Sequence, residues 1–290
     1  MQIHHFSFGA VTPTLSYTLS VLGSLLGLVC TARARAMPDS KHRSRWLLLA
    51  AWAIGGTGIW VMHFMAMLGF SVEGITIRYD LATTFASWIT AIVVVSIGLF
   101  IVGFGRPHPV KIILAGIFTG SGVAAMHYTG MAAMRMPAHV HYDRTLVIAS
   151  VVIAIVASTV ALWFTVTLKR GWVLFVAALV MGIAVNGMHF TGMFAMSVTP
   201  EPGAATAGFM PILFVAPIAL FVIIVFVALL TALINRTGSS DDQPGGLTAR
   251  LLPQPYPAQS GAGPHSLSVP AQPGPGSSRI AGAFGPRPGR

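Results

Sequence analysis

Seven stretches of this chain run for close to or beyond the roughly 20 residues that a bilayer-spanning helix needs, and none contains Asp, Glu, Lys or Arg. They cover residues 13–31, 46–70, 81–104, 112–134, 145–168, 172–198 and 210–234. A helix buried in a soluble bundle still shows water a charged stripe, and none of these runs has one. Composition agrees: 54% of the 290 residues are hydrophobic and 8% charged, with a mean hydropathy of +0.77. A soluble domain carries about 25% charged residues. The expected fold is an all-α membrane protein of seven transmembrane helices.

The charges orient it. Arg33, Arg35, Lys41, Arg43, Arg45, Arg106, Lys111, Lys169, Arg170, Arg236, Arg250, Arg279, Arg287 and Arg290 fall on one side of the seven-span layout, and only Arg78, Arg135 and Arg144 on the other. Basic loops stay cytoplasmic. Residues 1–12 are therefore expected in the periplasm and the C-terminus in the cytoplasm, with the chain in the inner membrane. The basic pI near 10.9 is a topology signal, so membrane lipid is the expected partner and nucleic acid is not. Residues 1–12 lack Lys and Arg, unlike the positive start of a cleaved signal peptide. Residues 235–290 hold 10 Pro and 10 Gly, a composition that cannot bury enough apolar surface to fold. They read as a disordered tail rather than a catalytic output domain. The chain is accordingly not expected to be an enzyme.

An internal repeat carries the chemistry. Around His63, His127 and His189 the same pattern recurs: Gly seven residues before (Gly56, Gly120, Gly182), Met one before (Met62, Met126, Met188), an aromatic one after, and Met four after (Met67, Met131, Met193). Met134 and Met196 follow seven after the second and third histidines. The histidines lie 64 and 62 residues apart, so each unit is one helix out and one back. Three parallel two-helix repeats then follow an N-terminal helix within residues 13–234, and the three histidines share one side of the membrane. His127 precedes Arg135 by eight residues, about 12 Å of helix, which places it below the outer surface.

Positions i, i+4 and i+7 share a helix face, so each histidine and its following methionines form a stripe. Imidazole with thioethers is a soft, uncharged ligand set that selects Cu(I). The candidate metal ligands are His63, Met67, His127, Met131, Met134, His189, Met193 and Met196, with Met62, Met126 and Met188 beside them. Zinc and the hard cations prefer thiolate, carboxylate or other oxygen donors that the motif lacks. Haem on two histidines is the alternative cofactor. Tyr128, Thr129, Asn186 and Thr191 are expected to orient the imidazoles. His4, His5, His139 and His141 read as solvated loop residues or outer metal-capture groups, His42 and His108 as headgroup neighbours, and Cys30 as apolar packing. A copper carrier would need a ligand ladder continuing to the basic side. An oxidase would need acidic residues for proton relay, and the spans hold none.

Met126-His127-Tyr128-Thr129 and its triplicated context resemble the MHYT domain, a bacterial integral-membrane sensor family, over roughly residues 12–199. In repeat one, Met65 and Ala66 replace Thr-Gly, and Phe70 stands where Met134 and Met196 recur; in repeat three, Phe190 replaces Tyr128. The resemblance implies copper binding and sensing of O2, CO or NO. It also implies coupling to cyclic-dinucleotide or DNA-binding modules, for which this chain would depend on a separate cytoplasmic protein.

Overall fold

The computed structural model describes residues 3–169, 171–201 and 207–234. Residues 235–290, expected to form a disordered tail, lie outside them. The described chain is helical: α1 Val11–Ala36, α2 Ser40–Ala51, a π-helical segment Trp52–Val61, α3 Met62–Leu68, α4 Leu81–Gly103, α5 Pro109–Ala132, α6 Arg144–Thr167, α7 Gly171–Phe194 and α8 Ile212–Ile234. The π segment joins α2 and α3 into one rod, Ser40–Leu68. Six helices are long and apolar enough to cross a membrane, and α8 carries the seventh apolar run.

Helix ends explain where the few charges go. Asp39, Asp80 and Asp143 cap α2, α4 and α6, accepting from the backbone N–H of His42 (3.0 Å), Thr83 (2.9 Å) and Leu146 (2.9 Å). The basic residues serve the opposite ends. Arg35 donates to the last carbonyls of α6, Thr165 and Leu168, and Lys111 to Phe104 O after α4. Helix α2 starts six residues before the expected span, at Ser40, because Asp39 supplies this cap.

The bundle turns small and hydroxylated residues inward and large apolar ones toward lipid. On α4, Phe85, Ile89, Val93, Ile97 and Ile101 are exposed while Thr84, Ser87, Ala91 and Gly98 are buried. Inward hydroxyls bond to carbonyls of their own helix, as Thr84 to Asp80 O and Ser87 to Thr84 O (both 2.7 Å).

Three short antiparallel pairs tie successive units together at the histidine end: β1 Ile3–His4 with β2 Ser71–Val72, β3 Arg78–Tyr79 with β4 Met134–Arg135, and β5 Ala138–Tyr142 with β6 Met196–Pro200. The ties are equivalent. The carbonyl six residues after each histidine (Gly69, Ala133, Ala195) accepts from Ser7 N (2.8 Å), Asp80 N (2.9 Å) and Asp143 N (2.8 Å). Tyr79 pairs with Met134 and Tyr142 with Met196.

This equivalence changes the third unit. In sequence, α8 is the return helix of α7. In space, the principal neighbours of α7 are α6 and α1, while α8 lies against the π segment. Helix α1 enters from β1 as α4 enters from β3 and α6 from β5. It packs between α7 and the π segment, the sixth place in a ring of the Ser40–Leu68 rod, α4, α5, α6, α7 and α1. Gly23 and Gly27 allow the approach: a methyl on Gly23 would overlap the backbone of Gly58, and one on Gly27 the side chain of Ile54.

Candidate metal centre

Helices α3, α5 and α7 each deliver one histidine near their final turns. His63, His127 and His189 are 2%, 0% and 1% exposed. Their rings meet edge to face with centroids 4.9–5.1 Å apart. The Nδ1 atoms form a triangle with sides of 3.0 Å (63–189), 3.1 Å (127–63) and 3.4 Å (189–127).

Protons alone cannot satisfy that triangle. Each contact needs one N–H and one lone pair. One protonated Nδ1 leaves the other two lone pairs facing each other, and two set N–H against N–H. A cation accepts three lone pairs at once. Side over √3 puts each nitrogen about 1.8 Å from the centre, slightly inside a metal–imidazole bond of roughly 2.0–2.1 Å. The donor set fits a small transition-metal ion after a shift of tenths of an ångström.

The outer nitrogens sit on glycine. Each Nε2 is buried without a hydrogen-bond partner. A methyl on Gly130 would overlap His63 Nε2, and one on Gly192 would overlap His127 Nε2. Each is the residue three after the histidine of the next unit. The third place in the cycle falls on Ala66, buried in α3.

Repeat one reaches the triad differently. The sequence reads as one continuous α-helix there, but Trp52–Val61 is π-helical. A π turn accommodates extra residues in an α-helix and turns what precedes it. Gly120 meets the backbone of Ala154 and Ile155 on α6, as the pattern requires. In repeat one the equivalent contact, with the backbone of Ala91 and Ile92 on α4, is made by Gly55 and not Gly56, which faces Phe221 of α8. The register is offset by one residue, and His63 still arrives level with its partners.

All the candidate methionines (Met62, Met67, Met126, Met131, Met134, Met188, Met193 and Met196) are buried. Met134 and Met196, however, lie beyond the helix ends in β4 and β6, so the shared-helix-face relation does not extend to them. The expected orienting residues bond elsewhere: Tyr128 to Ser150 Oγ (2.7 Å), Thr191 to Gly187 O (2.7 Å), and Asn186 to Gly182 O (2.8 Å) and Ser16 (2.9 Å). None of the described hydrogen bonds joins Tyr128, Thr129, Asn186 or Thr191 to a triad imidazole. His139 and His141 are exposed on β5, with His139 Nε2 3.3 Å from Glu201. His42 contacts Asp39, whose carboxyl it holds below the usual range. Sequence reasoning missed the glycine seats and the place of α1. The signals were present, as Gly at +3 in two repeats and the Gly23-xxx-Gly27 spacing.

The family model described as "Bacterial signalling protein N terminal repeat" (MHYT) matches three times, at residues 56–116, 120–178 and 182–241. The chain belongs to the MHYT family. Each MHYT match opens on the glycine seven before a triad histidine. Two relatives come from Pseudomonas aeruginosa. The bifunctional diguanylate cyclase/cyclic di-GMP phosphodiesterase MucR is 38% identical over 65% of this chain and 28% of its own length. The cyclic di-GMP phosphodiesterase NbdA is 34% identical over 67% of this chain and 26% of its own. Signaling protein YkoW of Bacillus subtilis is 28% identical over 67% and 25%. The chain thus spans about a quarter of the length of these relatives. No solved structure matches. The MHYT assignment and the apolar helices make this a multi-pass membrane protein of signalling type.

Proposed function

We propose that the chain is a non-enzymatic inner-membrane sensor that holds Cu(I) on His63, His127 and His189 near the periplasmic face. The triangle of Nδ1 atoms, 3.0–3.4 Å apart and shut off from solvent, carries this reading. The surroundings favour a monovalent soft ion. The Born cost of burying an ion scales with the square of its charge, so a monovalent ion costs about a quarter as much as a divalent ion of like radius. The described ion-ligating cluster contains no carboxylate to offset a second charge. Met67, Met131 and Met193, buried one helical turn beyond each histidine, would supply thioethers suited to copper over zinc. A haem would separate two imidazoles across a flat macrocycle, which rings this close oppose.

Ion binding replaces three mutually repelling lone pairs with three bonds and so draws three helices together. Loss of the ion, its oxidation, or a diatomic gas (O2, CO or NO) taken up by it would shift that packing. The signal would pass to a separate cytoplasmic protein; cyclic-di-GMP enzymes are the class that the relatives' names suggest. A copper-carrier role lacks support, since the described residues place no second His/Cys/Asp/Glu cluster toward the basic end.

The test is metal analysis of the detergent-purified full chain after Cu(I) loading, beside a His63/His127/His189→Ala triple variant. About one copper per wild-type chain, lost in the variant, is the expected result. A wild type without copper overturns the reading, and a Soret band moves it to haem.

A further inference from the structure

We propose that His5 is a fourth metal ligand, set at the mouth of the triad, through which a soft cation passes on its way to His63, His127 and His189. The proposal rests on the copper reading above and adds a route to it.

The position of His5 follows from the threefold ties. In the second and third units, the side chain seven after the histidine, Met134 or Met196, has a tyrosine opposite it, Tyr79 or Tyr142. In the first unit the N-terminal strand takes that role. Ile3 pairs with Val72 and His4 with Ser71, so the next step in the same register sets His5 against Phe70. The rings confirm the approach, with His5 5.6 Å from Phe70 and 4.6 Å, edge to face, from Phe194 at the end of α7. An imidazole thus replaces a phenol at the one place where the methionine ladder is broken by a phenylalanine.

One ring nitrogen of His5 is buried. The residue as a whole is only half-buried, yet its Nδ1 is shut off from solvent and has no hydrogen-bond partner. It lies against Phe70 and Phe194, the residues seven after His63 and five after His189. The strap that holds it is fastened on both sides, by the β1–β2 pair and by Ser7 N to Gly69 O at 2.8 Å. A buried nitrogen left unpaired is destabilising, and ligation of a passing cation relieves it. Transfer inward exchanges one metal–nitrogen bond for another, and the ion keeps its charge throughout.

The experiment follows loading of the detergent-purified full chain by stopped flow, with Cu(I) supplied from a coloured chelator complex whose bleaching reports the transfer. Wild type, His5→Ala and His5→Phe are compared, with His127→Ala as the reference for copper loss. The phenylalanine keeps the packing on Phe70 and Phe194 and removes the nitrogen. Both His5 variants are expected to load at least tenfold more slowly and to reach the wild-type copper content. His5→Phe loading at the wild-type rate overturns the proposal, because packing alone would then suffice. A variant whose final copper falls as far as that of His127→Ala also overturns it, since His5 would be a resident ligand. A wild type that takes up no Cu(I) fails the triad reading itself, a result distinct from either.

Discussion

The imidazoles are legible as single residues, and their seats are not. Spacing alone marks His63, His127 and His189 as equivalent, and the structure brings their Nδ1 atoms within 3.4 Å. The rings of His63 and His127, however, rest on Gly130 and Gly192 of the next unit, a relation with no fixed separation along the chain. Gly130 and Gly192 test it. Alanine at either is expected to cost about 1–3 kcal/mol of stability and at least half the bound copper, measured by thermal melt and metal analysis. Gly187 is the control. Space around it is open, and alanine there is expected to leave copper unchanged and raise helix stability by up to about 1 kcal/mol.

Among the elements, the π segment and the aspartate caps decide most. Sequence periodicity assumes 3.6 residues per turn, so it located the repeat-one helix and missed the change of pitch inside it. Deleting Gly56 should restore regular α geometry, set Gly55 seven residues before the histidine as in the other two repeats, and leave His63 level with its partners. The expected outcome is an inserted chain that keeps its copper on three nitrogens, whereas deleting one residue from the regular helix α5 before His127 loses it, read by X-ray absorption and metal content. The caps give a pH signature. Its hydrogen bonds with Thr83 hold the Asp80 carboxyl below the usual carboxylate value. A lowered folded-state pKa means that the cap's contribution is complete above the ordinary value near 4 and is lost as pH falls through the folded one. The melting difference between wild type and Asp80→Ala is therefore expected to be constant above about pH 5 and to shrink below about pH 4.

For the whole molecule, charge-free apolar runs suffice to give an all-helical membrane bundle, and duplication gives its parallel units. The partner of α7 could not be read this way. Chain order assigns α8 to that place, whereas the N-terminal strand and α1 occupy it because they reproduce the ties of β3–α4 and β5–α6. Gly23 is the residue on which this closure depends. Gly23→Val would drive a branched side chain into the backbone of Gly58 and is expected to cost at least about 1–3 kcal/mol, with copper lost as the ring opens, checked by melt and metal content.

The cycle of seats has glycine at two places and alanine at the third. Three identical subunits around an axis would be obliged to grip an ion with three equal bonds. One polypeptide with three diverged copies is free of that obligation, and its nitrogen triangle is scalene. The longest side joins His127 and His189, and His189 is the ring whose place in the cycle falls on Ala66. In the proposed copper centre the three bonds would therefore be unequal, and a small molecule would displace them in a set order rather than at random.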